Sequence, residues 1–118
     1  MTTFTHWRFH IDQQNIGWLE LDVAGSSVNV LQREVMREWA QIMDNLIENK
    51  GLAGLCFLSG KKRGFVYGAD IAEFNTLASE ADVHNLIALA ASVLSAIEKL
   101  DIPTVCGIDG VAVGGGLE

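Results

Sequence analysis

Gly110-Val111-Ala112-Val113-Gly114-Gly115-Gly116-Leu117-Glu118 is the stretch on which the fold turns. It follows an apolar run, Thr104-Val105-Cys106-Gly107-Ile108, that reads as a buried strand. Glycines after a strand lead into a helix N-terminus, where backbone amides and the helix dipole favour negative charge. A second glycine-centred loop lies upstream, Phe65-Val66-Tyr67-Gly68-Ala69-Asp70-Ile71, and it too follows an apolar run, Leu52 to Leu58. In a parallel sheet both loops emerge at the carboxyl edge, where α/β proteins bind ligands. Two such loops can each direct one amide at the same oxygen, the arrangement of an oxyanion hole. The glycines fit neither common nucleotide pattern. Gly-x-Gly-x-x-Gly is absent, and Gly116 occupies the place where a phosphate-binding loop needs lysine.

Working outward, residues 81–100 carry Val83, Leu86, Ile87, Ala90, Val93, Leu94, Ile97 and Leu100 at helical spacing, and Pro103 stops the helix. Residues 31–48 show the same periodicity through Leu31, Val35, Trp39, Ile42, Met43, Leu46 and Ile47. Asn29 is expected to cap that helix, and Asn49-Lys50-Gly51 to end it. Residues 7–11 and 16–23 alternate and predict a hairpin around Asp12-Gln13-Gln14-Asn15. Trp7, Phe9 and Ile11 are expected on one face, and Ile16, Trp18, Leu19, Leu21 and Val23 on the apolar side of the second strand. Strand, helix, strand, helix and strand in this order predict an α/β domain with a largely parallel sheet. Residues 59–68 are a loop, and Asp70 reads as the cap of a short helix.

The 118 residues suffice for one domain, and 49% apolar content supports a packed core. A net charge of −7 argues against nucleic acid and anionic membrane as partners. Lys61-Lys62-Arg63 interrupts this acidic background, either as a solubilising loop or as a local site for an anionic ligand. Cys56 and Cys106 have no CxxC spacing and read as buried, reduced thiols of a cytosolic protein. His6, His10 and His84 are too scattered for zinc, so no metal is expected. No secretory signal and no membrane-spanning run are expected either.

Tyr67-Gly68-Ala69-Asp70-Ile71, preceded by Ser59 and the basic loop, resembles the first signature of the enoyl-CoA hydratase/isomerase (crotonase) superfamily. Gly110-x-Ala112-x-Gly114-Gly115-Gly116-x-Glu118 resembles the second, and Asn29-Val30-Leu31 resembles the Asn-x-Leu that opens the family's first helix. Within that family the chain is similar to the hydratase region at the N-terminus of multifunctional fatty-acid oxidation alpha subunits. The resemblance implies a crotonase-like spiral of β-β-α units, of which residues 1–118 are the N-terminal portion. It implies that the amides of Ala69 and Gly115 form the oxyanion hole and that Glu118 is an acid/base. It also implies that the backbone of Tyr67, Gly68 and Ala69 meets the adenine of coenzyme A, with Lys61, Lys62 and Arg63 near its phosphates. Tyr67 stands where family members commonly have a small residue.

The implied reaction of the parent is reversible hydration of a trans-2-enoyl-CoA to a 3-hydroxyacyl-CoA. Isomerase or other crotonase chemistry, and a non-catalytic fragment that binds coenzyme A or self-associates, remain open at this point. Hydratases of the family use a second glutamate further along the chain, so residues 1–118 alone are expected to be inactive. No cofactor is implied beyond the coenzyme A of the substrate. A homo-oligomer or a fatty-acid oxidation complex, in the cytoplasm, is the expected setting.

Overall fold

A hairpin opens the fold. The computed structural model describes residues 4–48, 51–69, 73 and 75–118. Strands β1 (Trp7–Ile11) and β2 (Ile16–Leu21) pair antiparallel, from Trp7 opposite Leu21 to Ile11 opposite Gly17. Their turn is built by Asp12. Its Oδ1 accepts from the amides of Gln14 at 2.8 Å and Ile16 at 3.0 Å. Asn15 takes the left-handed conformation that closes the turn (φ 62°). The Trp18 indole N–H donates to Asp12 Oδ2 at 2.8 Å. That bond first, then the Ile16 and Gln14 amides, holds the Asp12 carboxyl below its usual range.

Strand β3 (Gly54–Ser59) runs parallel to β2, and β4 (Thr104–Cys106) parallel to β3, giving the order β1-β2-β3-β4. Helix α1 (Arg33–Glu48) makes the crossover from β2 to β3. Helix α2 (Glu80–Glu98) makes the crossover from β3 to β4, and the two helices pack together. Parallel pairing requires such long connections, so the helices are a consequence of the sheet topology. Ser79 begins α2, its hydroxyl accepting from the Asp82 amide at 3.3 Å.

The core forms where the stripe of α1 meets one face of the sheet. Val35, Met36, Trp39, Ile42, Met43 and Leu46 are buried against Leu19, Leu21, Val23, Leu55 and Phe57. Each such side chain contributes about 1.5–3 kcal/mol on leaving water. Trp39 lies 5.0 Å from Trp7 and 5.9 Å from Phe57, ring centre to ring centre. Helix α2 contributes a single buried residue, Val93, with Leu89, Leu94 and Ile97 partly buried. By length and composition α2 could cross a membrane, but here it lies along α1 and the core.

Three expectations change. Trp18 and Ile16 lie on the face opposite Leu19 and Leu21, because successive strand residues must point to opposite sides. Trp18 instead stacks on His10 across the hairpin, at 6.4 Å and 12°. The 104–108 segment is not a buried strand: only Thr104–Cys106 pairs, and Val105 and Ile108 are 61% and 53% exposed. It is the edge of the sheet, and no described residue covers that edge. Cys106 is likewise exposed, and both thiols are free. Finally, Asn29 does not cap α1. The helix starts at Arg33, whose amide donates to Glu73 Oε1 at 2.8 Å. The expected cap at Asp70 and the expected stop at Asn49-Lys50 lie outside the described residues.

Candidate active site

Both glycine loops leave parallel strands at the same edge of the sheet, the first after β3 and the second after β4. They run side by side. The Phe65 amide donates to the Val111 carbonyl at 2.8 Å, and the Val113 amide to the Val66 carbonyl at 3.2 Å. Val66 and Ala112 form a parallel bridge. On its other edge the first loop is held by residues 29–31. The Tyr67 amide donates to the Asn29 carbonyl at 2.9 Å, the Leu31 amide donates to the Gly68 carbonyl at 2.7 Å, and Leu31 bridges Ala69.

Glycine is required where the loops touch. Gly68 has φ 93°, and a Cβ there would lie 3.0 Å from the Val113 carbonyl oxygen and 3.5 Å from the Gly115 nitrogen. Gly116 is tighter: a Cβ would fall 2.3 Å from the Val66 oxygen. Residues Gly114–Gly116 form a single turn of 3-10 helix, with the Gly116 amide on the Val113 carbonyl at 2.9 Å and the Leu117 amide on the Gly114 carbonyl at 3.1 Å. The amides of Ala69 and Gly115 donate to no acceptor among the described residues. The Tyr67 and Ala69 carbonyls likewise accept no bond there, whereas the Gly68 carbonyl between them is engaged by Leu31.

Glu118 is exposed and lines a cavity of about 140 Å³ together with Gly115, Gly116 and Leu117. The remaining wall is mostly apolar, including Trp7, Leu31, Trp39, Phe57, Phe65, Leu94 and Ile97. Cys106 also faces it. Partial desolvation, and then the neighbouring Cys56, pushes the Cys106 thiol above its usual range, which lowers its thiolate fraction and makes it a poor nucleophile.

The basic triplet divides. Lys61 turns inward and is 11% exposed. Its ammonium donates to the Val23 carbonyl at 2.6 Å and the Ser26 carbonyl at 2.5 Å, and pairs with Asp22 at 2.7 Å. The Lys61 hydrogen bond and charge, with Arg8 adding to them, hold the Asp22 carboxyl below its usual range against the opposing effect of burial. An ammonium has three hydrogens, and these acceptors use them, so Lys61 anchors the loop rather than offering charge to a ligand. Lys62 and Arg63 are exposed and form no ion pair among the described residues. No three His, Cys, Asp or Glu side chains gather for a metal ion among the described residues.

Hydrophobic periodicity carries no sign of two features. Asn29 is wholly buried and hydrogen-bonded on all sides. The Trp39 indole N–H, also buried, has no partner among the described residues. Both depend on residues distant in sequence, which spacing does not report.

The sheet order, the two crossover helices and the paired loops define the crotonase fold. An enoyl-CoA hydratase from Bacillus anthracis superposes with a TM-score of 0.84 at 20% identity, over 94% of this chain and 42% of that one. The enoyl-CoA hydratase of Mycobacterium smegmatis gives 0.86 at 20% identity, over 93% and 42%. The enoyl-CoA hydratase/isomerase family matches residues 16–118, and the chain belongs to that family. Among curated relatives, the fatty acid oxidation complex subunit alpha of Shewanella loihica is 37% identical over 103 residues, which is 87% of this chain and 15% of that protein. The chain thus spans less than a sixth of that relative and under half of the two solved structures.

Proposed function

We propose that these residues form the N-terminal part of an acyl-CoA-binding domain whose parent protein hydrates trans-2-enoyl-CoA thioesters reversibly. The observation that carries this reading is the pair of amides, Ala69 and Gly115, unengaged among the described residues, on two loops laced together by hydrogen bonds. As water adds to the β-carbon, negative charge develops on the thioester oxygen. Two preoriented amides stabilise that charge more than they stabilise the ground state, and loss of one such donor costs about 10² to 10³ in rate. Glu118, which lines a cavity with Gly115, takes the proton from the attacking water.

Protonation of the α-carbon requires a second acid, which we place outside residues 1–118, so these residues alone are inactive in this reading. The unengaged carbonyls of Tyr67 and Ala69 suit the adenine amino group, and Lys62 and Arg63 suit the phosphates of coenzyme A. Addition of water is no net oxidation or reduction, and in this reading two amides stabilise the developing charge, so the reading calls for no redox or metal cofactor. The resemblance to a fatty acid oxidation subunit makes such a complex, or a homo-oligomer, the assembly we favour, in the cytoplasm.

The test is Glu118→Gln in the full-length protein, which keeps size and removes basicity. Turnover of a short enoyl-CoA should fall by about 10² to 10⁴. Near-parental turnover would remove Glu118 from the mechanism.

A further inference from the structure

We propose that Asn29 is a positioning residue for this site, acting through the main chain of residues 65–69; the inference rests on the reading of the Ala69 amide given above. Asn29 has no exposed surface. Its Oδ1 accepts from the Val23 amide at 3.0 Å. Its Nδ2 donates to the Leu21 carbonyl at 2.8 Å, the Ser59 hydroxyl at 3.0 Å and the Phe65 carbonyl at 3.0 Å. Two amide hydrogens serve three acceptors, so one is shared. A single side chain therefore ties the end of β2, the end of β3 and the start of the first glycine loop.

The backbone continues the same task. The Asn29 carbonyl receives the Tyr67 amide, and the Leu31 amide reaches the Gly68 carbonyl. Leu31 also packs on the second loop, its Cδ1 lying 3.1 Å from where a Gly115 Cβ would be. The opposite edge of the first loop is fixed by the Val111 and Val113 backbone. Among the described residues, Asn29 is the one side chain hydrogen-bonded to residues 65–69.

Only an amide suits this position. A carboxylate would face the Leu21 and Phe65 carbonyl oxygens, and an aliphatic side chain would leave the Phe65 carbonyl and the Val23 amide without a partner among the described residues, while the Leu21 carbonyl would keep the Gly60 amide. Residues 65–69 would then shift until those groups found water. The Ala69 amide moves with them, and its alignment with the thioester oxygen is lost.

The experiment uses the full-length protein at a temperature where circular dichroism shows every variant folded. It measures kcat and KM for a short trans-2-enoyl-CoA. It also measures the absorbance red shift of a bound aryl-conjugated enoyl-CoA, which reports polarisation of the thioester carbonyl. Asn29→Ala should lower kcat roughly 10- to 100-fold and shrink the red shift. Asn29→Ser, which keeps a hydroxyl donor, should recover part of both. Ser59→Ala leaves the amide its other two carbonyl acceptors and should keep both close to the parent. If Asn29→Ala does not fold, Asn29→Ser against Ser59→Ala carries the comparison. A folded Asn29 variant with parental kcat and an undiminished red shift overturns the proposal. A parent with neither turnover nor red shift overturns the reading of the site, and this inference with it.

Discussion

Gly116→Ala tests whether the contact between the two loops sets the geometry of the site. The backbone at Gly116 is not in the left-handed region, so the whole effect comes from space. The new Cβ would sit 2.3 Å from the Val66 carbonyl oxygen, 2.7 Å from its carbon and 2.8 Å from the Val66 Cβ. Carbon and carbonyl oxygen approach no closer than about 3.3 Å in ordinary contacts, so the loops must part by about 1 Å. The contact atoms are backbone and cannot rotate aside. The Gly115 amide is one residue away and must move with Gly116. A misplacement of that size costs about 10²-fold in rate, and complete loss of the donor about 10² to 10³. Gly114→Ala is the contrast. Its φ is 56°, but the nearest atom to a Cβ is Gly68 Cα at 3.8 Å, an ordinary contact. That variant should lose about 1 kcal/mol of stability through its left-handed backbone and far less activity. The assay is kcat and KM on a short enoyl-CoA in the full-length protein, with thermal melts alongside. A Gly116→Ala protein with kcat within about twofold of the parent would refute the claim that loop contact places the Gly115 amide.

Two further outcomes are expected. Neutralising Lys62 and Arg63 together should weaken acyl-CoA binding and flatten its dependence on salt, whereas affinity unchanged at both low and high salt would return these residues to a solubility role. The Asp22 carboxyl is lowered from 3.8 by Lys61 and Arg8, so its contribution is present above that value and is lost as pH falls through and below it. Asp22→Asn should therefore cost about 0.5–1 kcal/mol at neutral pH, after allowance for solvent screening, and close to nothing in strong acid. Denaturant unfolding at several pH values reads this directly, and a gap between parent and variant that persists at low pH would contradict it.

How much was legible in the sequence follows from the range of the interactions. Period-two and helical spacing are local, so the hairpin, both helices and their order could be read from residues 7–23, 31–48 and 81–100. The two glycine loops could be read because glycine after a strand is itself a local signature, and their resemblance to a family named the residues to watch. The two faces of β2 were harder. Ile16, Trp18, Leu19 and Leu21 are all apolar, and only the pairing of Trp18 with His10 and the packing of α1 decide which side is the core.

Tertiary structure alone decided the rest. Asn29 looked like a helix cap because its residue type and position suit one, yet its partners are Leu21, Val23, Ser59 and Phe65. Lys61 looked like one of three equivalent cations, yet only it meets Asp22 and the carbonyls of Val23 and Ser26. Hydrogen bonds and ion pairs between segments depend on where the sheet brings those segments together. Composition and spacing carry the propensity of each segment; the distance between Gly68 and Gly115, on which the proposed chemistry depends, exists only once β3 and β4 lie side by side.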